Sequence, residues 1–208
     1  MFALDRDLLA LEPNLFRDAA WAGQRVVSGV GDVAGETLTL LTQDVDFEGA
    51  GVGAGHVVVV SETVYEVVER LSATEARVSR LRPGRGGAVV APTPVTNKGV
   101  AVVTFGPQIA VVHAQVLRLL GLGGDGPAEE AVTNPEDLVA LEALGTLHLV
   151  YAAAAALAQR DSGLRARAEY YEERFMRERQ GVGARVDLNG DGVPDAVRRP
   201  SLLYLYRG

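Results

Sequence analysis

The 208-residue chain has no cysteine, which excludes disulfides, thiolate zinc sites, iron–sulfur ligation and a cysteine nucleophile together. The compartment stays open on that count. Positive charge is also scarce: 20 Lys and Arg stand against 27 Asp and Glu, and the net charge of −7 disfavours a nonspecific duplex binder, whose affinity comes from neutralising phosphates. A secretion signal needs an apolar run behind a basic end, and the start MFALDRDLLALEPNLF places Asp5, Arg6 and Asp7 in that run, so no signal is read. Serine-nucleophile motifs are missing, because no serine lies in a G-x-S-x-G or S-x-x-K setting. The three histidines, His56, His113 and His148, are far apart, and none has a second ligand type at a metal-binding offset. His113 and His148 sit among apolar residues at helical spacing and read as hydrogen-bonded histidines of a helix bundle.

What is present is ordinary globular composition, 48% apolar and 23% charged, enough for a substantial core. Residues 4–28 carry Leu8, Leu9 and Leu11, then Leu15, Phe16, Ala19, Ala20 and Trp21 at near-helical spacing, and Pro13 splits them into a short helix and a longer one. From Gly29 the pattern changes. The runs TLTLLT, HVVVV, VYEVVERL, EARVSRL, AVVAP and VAVVT, punctuated by Gly, Pro, Ser and Asn, predict five or six strands in a small antiparallel barrel or sandwich. GVGDVAG, residues 29–35, precedes a strand and not a helix, so it reads as a loop and not as a phosphate cradle.

Helical period returns at Phe105, with Ile109, Val112, Val116, Leu119 and Leu120 on one face and glycines from Gly121 ending it. Asn134 is the expected N-cap of the next helix, with Pro135 in its first turn and Glu136 and Asp137 at the positive end of its dipole. That helix, residues 138–159, is the most apolar long segment. Glu142, His148 and the many alanines argue for a buried bundle helix and against a membrane span. A charged helix with Leu164, Ala168, Tyr171 and Phe175 on one stripe follows, completing an antiparallel hairpin.

The fold class expected is therefore α+β, a bundle of an N-terminal helix plus three C-terminal helices with an inserted β subdomain and an extended C-terminal tail. The divisions are residues 1–28 (part of the bundle), 29–104 (β insertion), 105–181 (bundle), and 182–208 (turn and C-terminal arm).

Two constellations carry candidate chemistry. In RVDLNGDGVPDAVRR, Asp187, Asn189 and Asp191 occupy positions 1, 3 and 5 of a calcium loop, Gly192 the sharp turn, Val193 a carbonyl position and Asp195 position 9. Position 12 is Arg198 in place of the bidentate acid, so a calcium site and a hairpin turn built on Asn-Gly and Asp-Gly both remain open. Arg70, Arg77, Arg80, Arg82 and Arg85 cluster in the β block, where they could face DNA or an acidic partner, although Glu62, Glu66, Glu69 and Glu75 are interleaved and a solvated strand face is the plainer reading.

The sequence of AGHVVVV…YEVVERLSATEARVSRLR, FGPQIAVVHAQVLRLLGL, NPEDLVALEALGTLHLVYAAAAAL…LRARAEYYEERF and a closing VDLNGDGVPDAVRR resembles, in plan and over essentially the whole chain, tailed-bacteriophage head–tail connector adaptors. The resemblance implies a virion neck protein assembled in the host cytoplasm. It would not be an enzyme. Such a protein forms a ring of twelve copies that binds the portal protein and the next neck or tail protein, with DNA passing through its lumen and no membrane involved. Leu202, Leu203, Tyr204, Leu205 and Tyr206 in the tail SLLYLYRG would dock the portal. No cofactor is required, calcium in the loop aside. A stopper or tail-terminator role, and a calcium-dependent binding module of a secreted or surface protein, are the alternatives.

Overall fold

Five of the predicted runs become strands: β2 (Thr37–Gln43), β3 (Val57–Val60), β4 (Thr63–Arg70), β5 (Glu75–Ser79) and β6 (Val95–Thr104). The sixth strand comes from an unexpected place. β1 (Gln24–Ala34) begins where a helix was expected to run to residue 28 and continues through the glycine-rich stretch read as a loop. In the computed structural model, which describes residues 1–124, 126–157 and 162–200, these six strands close into a barrel in the order β1-β2-β5-β4-β3-β6, every pair antiparallel. Barrel, and not sandwich, is thus the form the β block takes.

The glycines of β1 explain why the strand was hidden. A Cβ on Gly29 would overlap the Thr42 carbonyl of β2, and one on Gly31 would sit 2.6 Å from the Thr39 oxygen, beside the register shift between Val30 and Gly31. Glycine in a strand marks such a close backbone approach as readily as it marks a turn. AVVAP forms no strand; Val90 instead exchanges hydrogen bonds with the end of β5, accepting from Arg80 N and donating to Ser79 Oγ. Inside the barrel, Val27, Leu38, Phe47, Val58, Val78 and Val102 are fully buried.

The chain divides into two compact units, Leu4–Gly106 and Met1–Ala3 with Pro107–Gly208. The N-terminal helices, expected with the C-terminal ones, fall in the same unit as the barrel. They are α1 (Asp5–Leu11) and the single turn α2 (Leu15–Asp18), followed by a 3-10 turn at Ala20–Ala22. Arg6 N donates to Gly55 O, and Phe16 meets Phe105 edge-on at 5.3 Å between ring centres. Tertiary pairing with β6 overrides the helical period after Gly23, where Val26 and Val27 suit a strand.

The second unit holds α3 (Gly106–Leu120, its first residue excepted), α4 (Val139–Leu157) and α5 (Ser162–Gly181). α4 and α5 pack antiparallel: a Cβ on Gly145 would reach the Phe175 ring, Tyr151 stacks on Tyr171 at 5.7 Å, and His148 Nδ1 lies 3.0 Å from Ala168 O. The segment Pro135–Leu157 is long and apolar enough to cross a membrane, and most of it is buried in the structure. α4 is entered through a 3-10 turn, Pro135–Leu138, and Asn134 makes no capping bond to it. Its amide reaches across instead: Asn134 Oδ1 accepts from Arg185 N at 2.6 Å, and its Nδ2 donates to Gly183 O at 3.0 Å. A two-stranded sheet, β7 (Ala184–Val186) with β8 (Ala196–Arg198), closes the described chain, and Val132 bridges to Val186 on the far side of β7.

Candidate functional site

The candidate calcium loop joins β7 to β8. Each of its four polar side chains, Asp187, Asn189, Asp191 and Asp195, already accepts a hydrogen bond within the loop. Asp187 Oδ1 accepts the N–H of Gly190 (2.7 Å) and Asn189 (3.2 Å), and its Oδ2 accepts that of Gly192 (2.6 Å). Asn189 Oδ1 accepts from Asp191 N, Asp191 Oδ1 from Val193 N, and Asp195 Oδ2 from Leu188 N. Gly190 and Gly192 adopt φ of +80° and +83°, which these side-chain-to-backbone turns require and which glycine alone takes cheaply. The Gly192 N–H, against a smaller desolvation cost and helped by Gly190 and Asn189, holds the Asp187 carboxyl below its ordinary range. Among the described residues no group of three or more His, Asp and Glu side chains is gathered to hold a metal. The turn has side-chain-to-backbone bonds of its own. Asp187→Ala removes the acceptor for three backbone N–H groups, and amide exchange at Gly190 and Gly192 should accelerate in chelator. Acceleration seen only when calcium is supplied would show that the ion, and not the turn, holds the loop.

Four of the five arginines are paired with acids. Arg77 binds Glu36 (2.6 Å), Arg70 lies 3.8 Å from Glu48, and Arg85 binds Asp7 (2.5 Å). Arg82 is buried against Glu66. Arg80 differs: among the described residues it has no ion pair, and its guanidinium donates to Thr93 Oγ1 at 3.1 Å. It lines an open depression of about 540 Å³ on the barrel with the hydroxyl residues Ser61, Thr63 and Thr93, the aliphatic Val60, Val64 and Val95, and Tyr65. A guanidinium that neutralises no acid among the described residues, set beside hydroxyls over an apolar floor, suits a carboxylate with an apolar neighbour. Leu202, Leu203, Tyr204, Leu205 and Tyr206 lie outside the described residues.

Two buried charge clusters are centred on acids outside the candidate residues of the sequence. On β4, Tyr65 and Val67 point into the barrel core, so alternation turns Glu66 outward, under α1. There the fully buried carboxylate is held by two guanidinia, Arg6 Nε at 2.5 Å and Arg82 Nε. Arg6 also binds Asp7 (2.9 Å) and the Arg82 carbonyl (2.8 Å), and Arg82 reaches Gly87 O, so the cluster fixes both α1 and the RPGRGG segment. At the residue before Arg6, burial pushes the Asp5 carboxyl up, against hydrogen bonds from Thr104 and the Phe105 N–H.

In the other unit, His113 of α3 lies between two glutamates. Its Nδ1 is 2.8 Å from Glu142 Oε2 of α4, which is fully buried, and its Nε2 is 2.9 Å from Glu129 Oε2 of the 3-10 turn Glu129–Ala131. Glu142 also accepts the backbone N–H of Phe2 (3.3 Å) and Ala3 (3.1 Å). Partial burial pushes the Glu129 carboxyl up, but hydrogen bonds from the Met1 ammonium and His113 outweigh it and leave it below its ordinary range. The one sequence signal was weak: an acid in the first turn of an otherwise apolar helix and a histidine on the buried stripe of another.

Comparison with family models, curated proteins and solved structures finds no match to this chain.

Proposed function

We propose that the chain is a structural part of a tailed-phage neck, an adaptor that forms a ring beneath the portal protein, extends the DNA channel and receives the next neck or tail protein. What carries the reading is the plan of the molecule: a helical unit and a small closed barrel on one chain, followed by a hydrogen-bonded hairpin and an apolar tail. The use of charge supports it. The buried carboxylates Glu66 and Glu142 fasten separate segments together, a structural use of charge. In this reading α3, α4 and α5 form the bundle that meets neighbouring copies, and the Arg80 depression is the partner-facing element left of the five arginines. Calcium in the hairpin would stiffen the corner that aims the tail.

Native mass spectrometry of the purified chain with and without portal protein tests the proposal. A ring of about the twelvefold symmetry the resemblance implies should assemble with the portal. Deleting residues 202–208 should abolish portal binding and leave a folded chain, and Arg80→Glu should weaken docking of the next protein without loss of fold. A chain that stays monomeric with the portal overturns the reading.

A further inference from the structure

The Glu129–His113–Glu142 contact poses a problem of proton count. A neutral imidazole has one N–H and one lone pair, yet both ring nitrogens of His113 face carboxylate oxygens at hydrogen-bonding distance. With one ring proton and both acids ionised, a lone pair would oppose an anionic oxygen in a site only 9% exposed. One additional proton removes the conflict. The charged groups around the ring are Glu142 from α4, Glu129 from the turn after α3 and, behind Glu129, the amino group of Met1, and the Phe2 ring covers it edge-on at 5.0 Å.

We propose that this shared proton is a latch: with it bound, Glu129 is held on His113 and the Glu129–Ala131 turn is seated, and when it leaves, Glu129 swings to water and the turn loosens. The two ends of the contact are unequal. Glu142 is fully buried and is pinned by the N–H groups of Phe2 and Ala3, whereas the Glu129 side chain is 32% exposed and can be rehydrated at little cost. What the turn holds is the C-terminal hairpin. Ala131 O accepts the Asp187 N–H at 2.8 Å and Thr133 N donates to Arg185 O at 2.9 Å, so residues 131–133 flank β7 directly after the latch. Proton occupancy at His113 is thereby coupled to the seating of the hairpin that carries the tail, a regulation separate from the neck assignment.

Ring-nitrogen NMR of His113 in the full chain, followed with amide exchange from mildly acid to mildly alkaline pH, tests it. On the acid side the three-group site should hold one proton more than on the alkaline side. As that proton leaves, protection of Val132, Thr133 and Asp187, corrected for base catalysis, should fall by about an order of magnitude, as local opening does. Glu129→Gln keeps Glu142 and its backbone bonds while removing one anion, and its protection should show no such step. Unchanged protection through the wild-type titration overturns the latch, and so does a step that persists in Glu129→Gln. A failure of portal assembly would leave this result untouched.

Discussion

Glu66→Ala is expected to destabilise the barrel unit by about 3–5 kcal/mol, the cost of breaking a buried ion pair from one side. The substitution deletes the acceptor of two guanidinia, Arg6 and Arg82, that are 5% and 9% exposed, and it orphans the Arg82 backbone N–H that donates to Oε1 at 3.1 Å. Arg6 keeps Asp7 and Arg82 keeps Gly87 O, so the loss is large but not total. Trp21, the single tryptophan, lies in the same unit, so urea unfolding followed by its fluorescence reads this unit and not the helical one. The cost should come from the stranded charges and not from the missing contact. Arg6→Met, Glu66→Leu and Arg82→Met together should therefore recover most of the stability. A loss under about 1 kcal/mol in Glu66→Ala would place the guanidinia in water and contradict the burial of the cluster.

What could be read in the sequence followed the physics of each element. β2 to β6 announce themselves because runs rich in β-branched and apolar residues stand between turn residues, and α3 to α5 because apolar residues recur at helical spacing. β1 does not, since its glycines answer to a neighbouring backbone at Thr39 and Thr42 that the local sequence does not contain. The N-terminal helices were legible as helices, but their partner was not. Leu8 and Leu9 say that one face is buried without saying against what, and it is Arg6 and Asp7, ordinary surface residues by type, that tie α1 to Glu66, Arg82 and Arg85 of the barrel unit. Of the candidate residues, the hairpin loop could be read because its side-chain bonds are local. The arginine cluster could not, because adjacency along the strands says nothing of whether Glu36, Glu48, Asp7 or Glu66 stands opposite.

Gly145→Leu should destabilise the helical unit by about 1–3 kcal/mol, as overpacking of a filled core does, and the effect should depend on Phe175. α4 is apolar on nearly every face, so its pattern does not show which side is most crowded, yet its one glycine stands at the tightest point. A Cβ there would lie 2.8 Å from Val112 Cγ1 and 3.0 and 3.1 Å from two atoms of the Phe175 ring. In Gly145→Ala, the helix propensity gained, about 1 kcal/mol, opposes this clash, and the net change should be small. Leucine adds three carbons with nowhere to go. Loss of helical circular dichroism in urea measures the cost, and Leu at Ala153, an exposed position of the same helix, should show almost none. Phe175→Leu shortens the opposing ring, so the penalty of Gly145→Leu should shrink measurably in that background, giving a coupling of about 0.5–3 kcal/mol. Equal penalties in both backgrounds would mean that α4 and α5 do not meet at this glycine, and the close antiparallel packing of the two helices would have to be abandoned.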